Sequence, residues 1–213
     1  AFVIGGAGGT GITSDGAQTI LNNDGSISTV DGAAGLAVKT VNGYAAVTNG
    51  GTLLGNLSLA SDAANTVQNL ASGIILAGTS LDLGGTGVLT NAGTLKSGAA
   101  GLSTTVLNGS LVQTAGGTLV VRVSPQTVQS DSFRITGSAS LGGTLRPQIV
   151  NPGTVAAGTT QTGFVSADQG LSLDGLRIAG DTAVVTYGLS GLGNGLALNT
   201  TINFMPAGLS AHG

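Results

Sequence analysis

Residues 111–146 read LVQTAGGTLVVRVSPQTVQSDSFRITGSASLGGTLR, and this stretch decides the fold. In Thr118 to Ser124, Leu119, Val121 and Val123 fall on one side and Val120, Arg122 and Ser124 on the other, the period-two signature of a β-strand. Ser124 and Pro125 interrupt it. A second strand is predicted over Phe133 to Thr136, a break at Gly137 follows, and Ala139 to Leu145 carries Gly142-Gly143 between two leucines. No helical period runs through any of it.

The composition around this stretch agrees. The chain has 213 residues, of which 39 are glycine; only 7% are charged and 3% aromatic, and all nine acidic residues are aspartate. Few helix formers and many Gly, Thr, Ser and Asn predict an all-β protein. A mean hydropathy of +0.41 with a net charge of −3 is the opposite of the disordered signature. The glycines keep no three-residue period, which excludes collagen. Six scattered basic residues give no footprint for nucleic acid or anionic lipid, so neither is expected as a partner. No apolar run approaches the roughly 18–20 residues of a membrane helix, and the aromatic girdles of a membrane barrel are missing, so no direct membrane insertion is expected. The absence of cysteine removes disulfides and thiolate chemistry.

Upstream of Leu111 a loose repeat appears: Asn23-Asp24-Gly25-Ser26-Ile27, Asn49-Gly50-Gly51-Thr52-Leu53, Asn91-Ala92-Gly93-Thr94-Leu95 and, shortened, Asn108-Gly109-Ser110-Leu111, with a weaker copy at Asn69 to Ile74. The glycines at 25, 51, 73, 93 and 109 are 26, 22, 20 and 16 residues apart, an internal repeat of solenoid size. The reading is that Asn and Gly turn the chain by adopting positive φ, after which a short strand points its Ile or Leu inward. Stacked units of roughly 22 residues predict about nine or ten coils and a rod on the order of 45 Å, with asparagines at equivalent positions able to form hydrogen-bonded ladders.

Past Arg146, Pro147 and Pro152 bracket a predicted break, and Asn151 to Gly163 reads as a loop. Strand signals return at Gly163 to Ala167, Leu176 to Ile178 and Thr182 to Tyr187. The cleanest predicted strand is Leu196 to Phe204, with Leu196, Leu198, Thr200, Ile202 and Phe204 on its buried face. Gly188 to Gly195 has the residues of a hairpin turn. The C-terminal part is therefore expected to leave the coil geometry and cap the helix end, whose bare edge would otherwise be exposed. Phe133, Phe164, Tyr187 and Phe204 are expected in its core.

Motifs for chemistry are weak. Gly6-Ala7-Gly8-Gly9-Thr10-Gly11 satisfies G-x-G-x-x-G after the apolar Phe2-Val3-Ile4, with Asp31 at the offset of a ribose-binding acid, but Ile12 to Gly25 is no amphipathic helix, so a glycine-rich turn is expected. At Gly84-Gly85-Thr86-Gly87 Leu89 replaces the aspartate of a calcium-binding nonapeptide. The one histidine, His212, stands near the chain end and reads as a tail residue. Asp168, Asp174 and Asp181 are the candidates for paired carboxylates of a polysaccharide-cleaving enzyme, though each looks like a turn aspartate. No catalytic, cofactor or metal residues are assigned. Arg122, Arg134 and Arg146, twelve apart, are expected to be solvated or, in the sharper reading, to align on successive coils near Asp131.

The order Gln113, Gly117-Thr118-Leu119, Asp131-Ser132-Phe133, Gly137-Ser138-Ala139 and Leu141-Gly142-Gly143-Thr144-Leu145 resembles the C-terminal passenger region of bacterial autotransporters (type V secretion). A second match, Ile202-Asn203-Phe204-Met205-Pro206-Ala207-Gly208-Leu209, resembles the F-x-P-A-G-L segment before the linker to the membrane barrel in that family. The resemblance spans about Leu111 to Gly213. It implies a right-handed parallel β-helix (solenoid) with a hairpin or sandwich-like C-terminal cap, residues 1–110 forming coils, 111–205 an autochaperone-like module and 206–213 the start of the linker. It further implies export through the periplasm and a partner, the protein's own outer-membrane β-barrel translocator, which these residues do not include. With no basic segment in Ala1 to Gly11, the chain is expected to be a mature or excised piece.

The expected folding nucleus is Leu119, Val121, Val123, Phe133, Ile135, Leu141, Leu145, Tyr187, Leu198, Ile202 and Phe204. The expected repeat turns are Asn23, Gly25, Asn49, Gly51, Asn91, Gly93, Asn108 and Gly109. The function expected is a non-enzymatic passenger at the cell surface or secreted, a β-helical stalk or adhesin-type scaffold. The alternative is a filament subunit that associates with itself end to end through its sheet edges.

Overall fold

A computed structural model describes residues 1–61, 63–151 and 155–205. It is all-β, 62% strand with almost no helix, and forms a β-solenoid of about 6 turns. The first coil consists of β1 (Phe2–Gly5), β2 (Thr10–Ser14) and β3 (Gln18–Asn23), the second of β4 (Ser26–Thr29), β5 (Leu36–Thr40) and β6 (Tyr44–Asn49). Next come β7 (Thr52–Ser58) with β8 (Thr66–Asn69), then β9 (Ile74–Asp82) with β10 (Val88–Asn91). They are followed by β11 (Thr94–Ser97), β12 (Thr104–Asn108) and β13 (Ser110–Gln113), and by β14 (Thr118–Ser124), β15 (Gln129–Ser130), β16 (Ser132–Ile135) and β17 (Ala139–Ile149). The last four strands are β18 (Gly158–Ala167), β19 (Leu171–Ile178), β20 (Val185–Leu192) and β21 (Gly195–Ile202). Among the described residues no helix is long and apolar enough to cross a membrane.

The strands stack into parallel ladders on three sides, and the register of each lays one inward residue over the next. On the first side the column is Val3, Ile27, Leu53, Ile75, Leu95, Leu119, Leu145 and Ile178. On the second it is Ile12, Val38, Leu57, Leu81, Leu107, Ile135 and Ala167. On the third it is Leu21, Val47, Val67, Leu89, Leu111, Ala139 and Leu171. These three aliphatic columns meet as one core. Each fully buried Leu or Ile contributes about 1.5–3 kcal/mol, so every coil adds a similar increment to its neighbours.

The stacks pass without interruption through Ser110 and Gln113. On the second side the parallel stack ends at β18, which joins β16 in parallel on one side and β21 antiparallel on the other, and β21 turns back on β20; on the other two sides the last parallel strand is β19, paired with β17. The resulting antiparallel sheet of β18, β21 and β20 lies at the C-terminal end. Among the described residues, β1, β2 and β3 pair with β4, β5 and β6 and with no strand on their other side.

Several expectations change. About 6 turns replace the nine or ten predicted, because the later coils carry long excursions and the hairpin leaves the stack. The hairpin turn is Gly193-Asn194 alone, with Gly193 at φ 57°, while Gly188 to Leu192 belong to β20. Gly158 to Gly163, read as loop, are strand. Pro147 does not end β17, which continues to Ile149; beyond Leu145 that strand is an edge paired only with β14, where a missing N–H is tolerated. The glycine-rich motif after β1 is a turn into β2, and Asp31 Oδ2 accepts the Gly8 N–H at 2.7 Å. Phe204, placed in the core from sequence, lies past the end of β21 and is 58% exposed. Residues 206–213, with the proposed linker and His212, lie outside the described residues.

Candidate functional site: the amide corner, the arginine clamp and the cap

The corner between the third and first sides carries a file of buried amides. Asn23, Asn49, Asn69 and Asn91 stand in register, and each donates Nδ2 to Oδ1 of the next at 2.7, 2.7 and 2.8 Å. The same Nδ2 groups reach the backbone of the following coil, as from Asn23 to Thr52 O at 3.1 Å and from Asn69 to Thr94 O at 3.1 Å. This matters because a corner frees main-chain carbonyls from the sheet, and a buried carbonyl without a partner is costly. The fifth member is Gln113, whose longer arm donates to Gly142 O at 2.6 Å. Leu141 follows in the column, so no side-chain amide stands below to receive the bond.

Beside the amides run Gly25, Gly51, Gly73, Gly93, Gly117 and Gly143. Their role differs from the positive-φ turn expected: among them only Gly143, at φ 65°, has positive φ. The others are required by close approach. A Cβ on Gly51 would land on Gly25 O, one on Gly93 on Gly73 O, and one on Gly117 on Asn91 O. The small corner lets Thr52 N bond Gly25 O at 2.7 Å and Thr118 N bond Gly93 O at 2.7 Å.

Asn108 and Gly109 do not belong to this file. Asn108 pairs with Asp82 on the second side, donates Nδ2 to Asp82 Oδ1 at 2.8 Å and accepts Thr136 Oγ1 at 3.0 Å. Gly109, at φ 141°, sits at the other corner. The true continuation, Gln113 with Gly117-Thr118-Leu119, lies a few residues on; the Gly-Thr-Leu signal was present but a glutamine stood where asparagine was sought.

A second polar center ties two coils together. Arg122 on β14 donates Nε to Asp131 Oδ2 at 2.7 Å and Nη2 to Oδ1 at 2.9 Å, and its Nη1 reaches Ala99 O at 2.8 Å. Asp131, 1% exposed, also accepts the Ser103 N–H at 2.9 Å and the Arg122 N–H at 3.2 Å. The guanidinium and carboxylate thus pin the irregular segment between β11 and β12 against β14. On the same side of β14, away from the core, Val120 and Ser124 are buried too, Ser124 where its Oγ accepts the Thr127 N–H at 3.4 Å. Arg122, Arg134 and Arg146 do not align: Arg122 pairs with Gln148, Arg146 with Val120, and Arg134 lies on the second side, where it meets Asp168 at 3.3 Å.

The expected nucleus residues fall as follows. Leu119, Val121, Val123, Phe133, Ile135, Leu141, Leu145, Leu198 and Ile202 are buried, and Tyr187 is half-buried against the core. Phe164, which the expected nucleus omits, is among the largest fully buried side chains. Burial, and secondarily the nearby Asp181 carboxylate, raise the Tyr187 phenol above its ordinary pKa. The three aspartates considered for catalysis hold separate places: Asp168 accepts from Arg134 and Asn194, Asp181 accepts the Tyr187 N–H at 2.9 Å, and Asp174 stands at the bulge where β19 slips past Gly142. No protein-family model matches the chain, and no curated protein matches it.

Proposed function

We propose that this chain is a non-enzymatic autotransporter passenger, surface-exposed or secreted, in which the solenoid serves as a stalk-like scaffold and residues 111–205 nucleate folding during export. The observation that carries the reading is the make-up of the C-terminal part, which holds Phe133 and Phe164 at the core, the Arg122–Asp131 clamp and an antiparallel cap. A chain that leaves the membrane C-terminal part first would fold this module, and coils would then add toward the N-terminus by nearest-neighbour stabilisation. Folding outside would oppose back-sliding where no ATP is present. On the second side the antiparallel hairpin stands where a head-to-tail filament would need a parallel edge, which favours the stalk over the filament.

The test has two arms. With a C-terminal outer-membrane barrel fused, the full chain is expected to become accessible to external protease, and deletion of 111–205 to abolish that display. In isolation, residues 1–110 are expected to lack a cooperative unfolding transition; a sharp, stable transition in that fragment would refute the nucleus.

A further inference from the structure

On the inner side of the cap, Oγ1 of Thr160, Thr162 and Thr200 is buried and has no hydrogen-bond partner among the described residues. Thr160 and Thr200 oppose each other across β18 and β21, and Thr162 is one step along, opposite Leu198. On the outer face of the same two strands, Thr159 and Thr201 bond hydroxyl to hydroxyl at 2.8 Å. The inner row makes no such bond. Directly opposed Cβ atoms sit about 4.5–5.5 Å apart and diagonal ones somewhat under about 7–8 Å, so on this face Thr200 is the near neighbour of both Thr160 and Thr162. Each hydroxyl buried without a partner is penalised, and three together would weigh heavily against the small net stability of a domain.

We propose that Thr160, Thr162 and Thr200 form a structural hydration site that joins the cap's strands from within. The ligand class follows from the donors. Three neutral hydroxyls offer donors and lone pairs without a carboxylate, which suits a water molecule with two to four partners and not a divalent cation. Thr160 is only half-buried, so the row opens to solvent at that end. The cap thereby holds water at one point of an inner side that is otherwise lined by buried Leu198 and Ile202. The proposal is independent of the passenger reading.

The experiment pairs a high-resolution crystal structure of the unmodified chain with threonine-to-valine variants. The expected results are an ordered water within hydrogen-bond distance of at least two of the three hydroxyls, and a thermal midpoint lowered by about 2–4 °C in Thr200→Val, which strands the water. The triple variant Thr160→Val, Thr162→Val, Thr200→Val is expected to recover most of that loss, since water and partners leave together. A rise in midpoint for Thr200→Val, additive effects across the three sites, or a direct Thr160 to Thr200 hydroxyl bond with no water between would each overturn the proposal.

Discussion

Asp131 grips Arg122 with both carboxylate oxygens, Nε to Oδ2 at 2.7 Å and Nη2 to Oδ1 at 2.9 Å, nine residues apart in the chain and across an excursion from the coil. The pair is worth little as an isolated attraction, because two charges had to leave water. Its weight lies in what each partner would cost alone. Arg122→Met is expected to strand the buried Asp131 carboxylate and destabilise by about 3–5 kcal/mol, read as a lower thermal midpoint. The double variant Arg122→Met, Asp131→Leu is expected to recover a large part of that loss. The single variant should also speed proteolysis between Gly98 and Ser103, because the guanidinium holds the carbonyls of Ala99, Ala100 and Gly101.

Asn69 is the middle of the amide file and the most sensitive point in it. Its Oδ1 accepts from Asn49 at 2.7 Å, and its Nδ2 serves Asn91 Oδ1, Gly73 O and Thr94 O. Asn69→Leu keeps a similar volume, and a buried leucine, Leu141, stands in the same column lower down. It leaves buried donors and acceptors on two coils unpaired, and a loss of about 2–4 kcal/mol is expected in denaturant unfolding. Asn22→Ala, one residue from the file but exposed, is expected to change stability by less than about 0.5 kcal/mol.

The strands and the amide ladder were legible in the sequence because inward residues repeat with period two and the corner signal Gly-Ser/Thr-Ile/Leu recurs. Register was not. A single chain shows that Asn108-Gly109 and Asn91-Ala92-Gly93 look alike, yet only the pairing of Leu111 with Leu89 assigns the former to a different corner. Pro147 misled for a related reason: a proline is compatible with a strand once that strand is an edge, and edge status is a property of the assembled sheet. Arg122 and Asp131 were each noticed, but their mutual grip depends on an excursion whose path no local pattern encodes. Phe204 continued the alternation of β21 perfectly and still fell outside the core, because the neighbouring strand β20 begins only at Val185, opposite Ile202.

Gly93 carries no positive φ, so its requirement is purely one of space. A methyl group there would meet the carbonyls of Gly73 and Leu70 and push apart two coils joined by the Thr94 N to Gly73 O bond of 2.9 Å. Gly93→Ala is expected to destabilise by about 1–3 kcal/mol, with the hydrogen exchange of β11 and β9 rising first. Gly191→Ala in β20, where a Cβ meets nothing within 4 Å, is expected to be neutral or slightly stabilising. Equal losses at both sites would mean that glycine serves chain flexibility at the corner and not close approach.

Tyr187 makes the cap sensitive to alkali. Burial first, and the Asp181 carboxylate second, raise its phenol above the ordinary value of 10.0. Folding therefore favours the neutral phenol, and this contribution is fully present below pH about 10 and lost as pH rises through the folded-state value. Unfolding midpoints measured from pH 8 upward are expected to fall above about pH 10 in the unmodified chain, and to fall less steeply in Tyr187→Phe, which has no proton to lose. Asp181→Asn removes the smaller of the two causes and also keeps an oxygen for the Tyr187 N–H, so its curve should lie between them. Identical alkaline slopes for all three proteins would show that the phenol ionises as easily in the folded cap as in the unfolded chain.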